Sequence, residues 1–144
     1  MQKMRMTFGS FLCVLALALC TAACAAPFAY VPNEESGTIS VIDTNTDEVV
    51  KEIRAGDKPR GLAVSRDGKK LYVSDQPHNS LVVIDLEKLE PVDSILLGES
   101  PEGVGISPDG KWIVAAVEGS NSIAFINTQT SKKEFLVKVR GENP

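Results

Sequence analysis

The sequence is poor in cysteine, histidine, aromatic residues and positive charge. Its three cysteines, Cys13, Cys20 and Cys24, all fall within the first 24 of 144 residues. The remainder therefore has no thiol for a disulfide framework, a thiolate metal site or a cysteine nucleophile. His78 is the one histidine, whereas metal and haem sites ordinarily take more than one good ligand at recognisable spacing. Covalent haem is excluded, because Cys-x-x-Cys-His is absent. Lys and Arg number 15 against 19 Asp and Glu, a net charge of −4. Two of those cations, Lys3 and Arg5, lie at the extreme N-terminus, so residues 26–144 alone carry −6. Phosphate binding needs clustered cations, and this balance argues against nucleic acid as a partner. No Gly-x-Ser-x-Gly elbow, phosphate loop or dinucleotide fingerprint occurs. In Gly103-Val104-Gly105-Ile106-Ser107 the serine follows both glycines and does not stand between them as such an elbow requires.

The long apolar run is confined to the start of the chain. Lys3 and Arg5 precede the apolar stretch Phe11 to Leu19, and the small residues Thr21-Ala22-Ala23-Cys24-Ala25-Ala26 follow it. That is the order of a secretory signal. At nine residues the stretch is shorter than the roughly 20 that span a bilayer as a helix. Residues 1–25 are expected to be a signal peptide, cleaved after Ala25 to leave a periplasmic or secreted protein without a membrane span. The alternative is a lipoprotein anchored through Cys24, since Thr21-Ala22-Ala23-Cys24 resembles a bacterial lipobox with Thr21 where Leu is usual.

The rest of the chain repeats. Tyr30-Val31, Tyr72-Val73 and Ile113-Val114 form one column, and Val41-Ile42-Asp43, Val83-Ile84-Asp85 and Phe125-Ile126-Asn127 a second. Gly56-x-x-Pro59-Arg60-Gly61 returns as Gly98-x-x-Pro101-Glu102-Gly103. Ser65-Arg66-Asp67-Gly68-Lys69 returns as Ser107-Pro108-Asp109-Gly110-Lys111. All four columns share a period of about 42 residues, within the range that marks repeat architectures. The repeats span approximately 28–69, 70–111 and 112–144.

Each repeat reads as four short strands. A small-residue segment (Gly61 to Val64; Gly103 to Ile106) leads into an Asp-Gly turn, a strong hairpin signal. Next come Leu71 to Ser74 and Trp112 to Ala115, then a polar loop and Leu81 to Ile84. These middle strands are apolar at consecutive positions, which predicts a sheet buried on both faces. The fourth strand (Val92 to Leu97; Glu134 to Val139) mixes in charged residues and reads as an outer edge. The Gly- and Ala-rich strand reads as a crowded inner edge. The fold class expected is all-β: four-stranded antiparallel blades of a β-propeller, incomplete at about 2.75 blades where propellers have typically four to eight.

Tyr30-Val31-Pro32-Asn33, Tyr72-Val73-Ser74-Asp75, Thr38-Ile39-Ser40-Val41-Ile42-Asp43 and Ser107-Pro108-Asp109-Gly110-Lys111 resemble the β-propeller repeats named for a Tyr-Val-Thr-Asn signature, the YVTN type. The resemblance covers Phe28 to Pro144. Pro101-Glu102-Gly103 and Asp109-Gly110-Lys111-Trp112 are also similar to phrases in exported propellers that accompany pyrroloquinoline-quinone-dependent alcohol catabolism in bacteria. Such proteins usually start at the second strand of a blade, as this chain does at Phe28, and a C-terminal strand completes the first blade. The chain is therefore expected to be the N-terminal part of a longer protein whose missing blades are its partners, with self-assembly into a ring as the alternative.

Candidate chemistry is sparse. Asp43-Thr44-Asn45-Thr46-Asp47 matches the first half of a calcium loop, but Glu48 replaces the glycine that should follow and Arg54 the closing acid. A polar hairpin loop is the better reading, and no metal site is expected. Functional positions are sought where the repeats agree in backbone and differ in side chain, as Arg60 and Glu102 do, because loops on a rigid scaffold concentrate binding residues. Asp57, Lys58, Arg60, His78, Asn79, Glu102, Glu118 and Asn121 are the candidates for one ligand- or partner-binding face. The function expected is a non-catalytic binding or scaffold module without a cofactor, placed by the resemblance in periplasmic quinoprotein-linked metabolism. The alternative is part of a propeller enzyme, of lactonase, dehydrogenase or haem d1 type, whose active site lies in missing blades.

Overall fold

The computed structural model describes residues 28–141; the expected signal peptide, Cys24 and residues 142–144 lie outside the described residues. Eleven strands follow in order: β1 (Phe28–Asn33), β2 (Thr38–Asp43), β3 (Glu48–Arg54), β4 (Pro59–Val64), β5 (Lys70–Asp75), β6 (Ser80–Asp85), β7 (Glu90–Leu96), β8 (Pro101–Ile106), β9 (Trp112–Val117), β10 (Ser122–Asn127) and β11 (Lys132–Lys138). They form three sheets, β1-β2-β3, β4-β5-β6-β7 and β8-β9-β10-β11, in which every pairing is antiparallel. Among the described residues the first sheet thus has no inner strand, and the other two sheets have the four strands of a blade.

Turn chemistry explains the up-and-down order. Ser65 Oγ donates to Asp67 Oδ1 (2.6 Å) and accepts from the Lys70 amide (2.9 Å), while the Lys69 amide donates to Asp67 Oδ1 (3.1 Å). Ser107, Asp109 and Lys111 repeat this arrangement. The serine hydroxyl and the lysine amide hold the Asp67 and Asp109 carboxyls below their ordinary range. At the second hairpin the left-handed residue is Gly37, then Asn79, then Asn121, residue types that tolerate positive φ. The candidate calcium loop closes as an Asx turn, the Asn45 amide donating to Asp43 Oδ1 at 2.8 Å.

β7 and β11 begin at Glu90 and Lys132, two residues before the expected Val92 and Glu134, and end one residue earlier. Exposed outer strands carry polar residues at their ends, so hydrophobicity does not mark where pairing starts. β4 is likewise longer than Gly61 to Val64, taking in Pro59 and Arg60.

The core lies on both faces of the middle sheet. Toward the first sheet point Leu71, Val73, Val82 and Ile84, packing with Ile39, Val41, Ile53 and Ala55. Toward the third point Tyr72, Leu81, Val83, Ile95 and Leu97, packing with Ile113, Ala115, Val117, Ala124 and Ile126. The strict alternation along β5 and β6 is the strand period of two. Each fully buried aliphatic here contributes about 1.5–3 kcal/mol of transfer free energy. The outer face of the third sheet is open; there Phe125 stacks on Phe135 at 4.7 Å between centroids, with the edge of Trp112 against both.

Candidate functional site

The candidate residues gather at one end of the sheets, where the β1–β2, β3–β4, β5–β6, β7–β8 and β9–β10 connections meet. A repeated irregularity positions two of them. β4 pairs Pro59 with Asp75 and then Leu62 with Val73, so Arg60 and Gly61 together oppose Ser74. β8 does the same, with Pro101 opposite Val117 and Val104 opposite Ala115. A bulge of this kind re-aims a side chain at a sheet edge, and here it carries Arg60 and Glu102. Buried Ser74 holds the crossing: its Oγ accepts from the Gly61 amide at 2.9 Å and donates to the Glu102 carbonyl of the next sheet at 2.5 Å.

Arg60 and Glu102 pair directly across the second and third sheets. Arg60 also faces Glu34 of the first sheet's loop at 3.6 Å, and Lys58 lies 3.9 Å from the same carboxylate. On the next junction Gln76 Nε2 donates to Ser100 Oγ and to Glu102 Oε1, both at 3.0 Å. Ser100 Oγ then donates to Glu118 Oε2 at 2.9 Å. The result is one polar chain, Glu34–Arg60–Glu102–Gln76–Ser100–Glu118, crossing all three sheets. Its two junctions use the same positions of the repeat: Glu34 contacts Lys58 and Arg60, and 42 residues on Gln76 contacts Ser100 and Glu102.

His78 and Asp57 form a second cluster around a buried carboxylate. Asp75 has a side chain only 3% exposed and accepts His78 Nδ1–H at 2.7 Å. It also accepts the Asp57 and Lys58 amides at 3.1 and 3.0 Å. Gly56, with φ of +113°, makes room for it; a Cβ there would lie 2.3 Å from Asp75 Oδ2. The Nδ1–H bond leaves His78 Nε2 facing Asp57 Oδ2 at 3.7 Å, and Asp57 also pairs with Arg54 at 2.9 Å. His78 thus turns to two carboxylates, while Arg60 and Glu102 pair with each other.

Two candidates shape the loops. The Asn79 side chain accepts the Ser100 amide at 3.2 Å and its carbonyl accepts the Leu97 amide at 2.9 Å. Asn121, with φ of +47°, ends a 3-10 turn (Glu118–Ser120), and its carbonyl accepts the Val139 amide. Sequence reasoning missed Glu34, Gln76, Ser100 and Asp75 as parts of this face. Glu34, Gln76 and Glu118 are 42 residues apart, and extending the repeat alignment into that loop from Glu118 locates the other two.

Comparison with known proteins agrees with this architecture. The family described as "Lactonase, 7-bladed beta-propeller" matches residues 22–141. Over 46 residues the chain is 50% identical to the uncharacterized protein YncE of Salmonella typhi, and equally to that of Salmonella typhimurium. That stretch is 32% of this chain and 13% of YncE. Among solved structures, hydrazine synthase of Kuenenia stuttgartiensis superimposes with a TM-score of 0.79 at 28% identity, over 83% of this chain and 35% of that one. The dihydro-heme d1 dehydrogenase NirN shares the fold, with a TM-score of 0.67 at 15% identity, over 83% and 26% of the respective chains. The chain spans well under half the length of each of these relatives. With three consecutive sheets in propeller order and a family match over most of its length, this chain belongs to the lactonase-type seven-bladed β-propeller family.

Proposed function

We propose that the chain is part of an exported β-propeller whose polar end is a non-catalytic binding face for a protein or small-molecule partner. The observation that carries this reading is the continuous chain from Glu34 to Glu118, flanked by the exposed Asp57, Lys58 and His78. It offers charges of both signs on a rigid frame. His78 adds to it as a hydrogen-bonding group, since both ring nitrogens face carboxylates and neither faces a hydroxyl. Export rests on the N-terminal pattern of residues 1–25, and a role in periplasmic quinoprotein-linked metabolism rests on the resemblance of the repeats. Further blades of the same propeller would complete the ring. The test is Arg60→Ala or Glu102→Ala in the full-length protein. Partner affinity falls while the melting temperature stays nearly unchanged, because exposed ion pairs contribute only about 0–1 kcal/mol. Unchanged affinity rejects the face.

The family match supports a second reading, a propeller enzyme whose active site is completed by blades beyond this chain, because fold alone does not decide function. Turnover of lactones by the full-length protein, or a cofactor absorbing in the purified material, would favour it. A co-purifying periplasmic partner with no turnover favours the binding module.

A further inference from the structure

At the other end of the sheets, the second and third sheets leave a cleft of about 300 Å3 between the turn at Ser65–Asp67 and the turns at Asp109–Gly110 and Thr128–Gln129. That is the small end of the range for ligand sites. The preceding junction, between the first and second sheets, is filled differently. There Leu86 and Leu89 pack with Tyr30 against the core. At 42 residues on, the same addresses hold Thr128, Ser131 and Tyr72, and Lys70 takes the place of Phe28. The backbone is alike at both: the Leu86 amide donates to the Lys69 carbonyl at 2.8 Å and the Thr128 amide to the Lys111 carbonyl at 3.0 Å. Side chains alone replace an apolar plug by a polar recess.

Tyr72 lines that recess. The residue is 2% exposed, and its hydroxyl makes no hydrogen bond with a described residue. No sealed side-chain nitrogen or oxygen among the described residues lacks a partner, so this oxygen opens into the cleft. Burial, and then the charge of Asp67, hold the hydroxyl above its ordinary pKa, which keeps it a hydrogen-bond donor at neutral pH. The bonds that Ser65 Oγ and the Lys69 amide give Asp67 both fall on Oδ1, leaving Oδ2 to accept another.

An unanswered O–H donor near a carboxylate oxygen is satisfied by one group that accepts and donates at once, and a hydroxyl does both. The charges lining the cleft, Arg66 and Lys70 against Asp67 and Asp109, cancel, so neither a cation nor an anion is favoured. Further donors and acceptors remain around it. Arg66 Nη1 donates to the Pro108 carbonyl at 2.7 Å and leaves other N–H groups to spare. Thr128 Oγ1 donates to the Gly110 and Lys111 carbonyls at 2.9 and 3.1 Å and keeps its lone pairs. We propose that this cleft is a binding site for a neutral polyhydroxylated molecule about the size of one sugar ring, one hydroxyl of which accepts from Tyr72 and donates to Asp67.

D-Glucose is the probe, titrated into the full-length protein labelled with 13C-tyrosine. Loss of one signal in Tyr72→Phe and of another in Tyr30→Phe assigns the two. The expected result is a saturable shift of Tyr72 in the millimolar range with Tyr30 unmoved, and binding at least tenfold weaker for sodium acetate and for methylammonium chloride. Thr128→Leu with Lys70→Phe restores the residues of the preceding junction and should weaken glucose binding at least tenfold; Thr128→Leu alone should weaken it severalfold. A Tyr72 signal that glucose does not saturate means that the cleft holds water alone and overturns the site, as does unchanged affinity in both variants. Acetate or methylammonium binding as tightly as glucose overturns the assignment to a neutral ligand.

Discussion

The middle and third sheets are built from the same repeat, yet one is covered on both faces and the other on one. Along β5 and β6 nearly every residue is buried; along β9 and β10 burial alternates residue by residue. The sequences of these strands are similarly apolar. A neighbouring sheet, not composition, makes the difference, and positions 42 residues apart become paired experiments on that one variable.

The widest gap is expected between Leu81 and Ile123, which share a column. Leu81→Ala removes a fully buried side chain and should cost about 3 kcal/mol. Ile123→Ala, on the open face, should cost about 1 kcal/mol or less. Urea unfolding of both variants measures the difference, and equal losses would mean that the open face is covered in solution. Next come Gly61 and Gly103. A Cβ at Gly61 would stand 2.3 Å from the Glu102 carbonyl oxygen and 2.6 Å from the Val104 amide nitrogen, whereas one at Gly103 meets nothing within 4 Å. Gly61→Ala should destabilise by about 1–3 kcal/mol through overpacking, and Gly103→Ala by no more than about 0.5 kcal/mol. A large loss at Gly103 would again reveal a covering sheet.

Ser74→Ala is a smaller test of the covered sheet. It leaves the Gly61 amide without its side-chain acceptor, at a cost of about 1–2 kcal/mol, and amide exchange at Gly61 should quicken. The same column in the third sheet is already Ala116. The smallest effect separates shared turn chemistry from sheet coverage. Asp67 and Asp109 carboxyls lie below their ordinary range, so their stabilisation is complete above about pH 4 and is lost as pH falls through their folded values. Asp67→Asn and Asp109→Asn should flatten the acid limb of stability equally, because the two turns are alike. Unequal changes would show that the turns feel the sheets around them.

Much of this was legible in the sequence for a physical reason: strands packed on both faces need apolar residues at successive positions, and converging inner edges need glycine. Leu81 to Ile84 and Gly61 to Val64 carried those signals, and the period joined them. Strand ends such as Glu90 and Lys132 did not, because an exposed edge makes no demand on hydrophobicity. The site was legible in part. Arg60 and Glu102 stood out as variation on a constant backbone. Asp75 did not, since a carboxylate buried against Gly56 and two amides depends on where two distant loops meet. His78 was noticed, but its pairing with Asp57 and Asp75 follows from that same meeting.

The junction contacts have a consequence for assembly order. Glu34 reaches Lys58 and Arg60, and Gln76 reaches Ser100 and Glu102, from equivalent addresses. Slip the first sheet one place along the series, onto the third, and Glu34 meets Glu102, carboxylate against carboxylate. The backbone would accept that neighbour; the side chains repel it. A repetitive chain risks mistaking one of its own copies for another, and changing the polarity of the contact from junction to junction tells the copies apart.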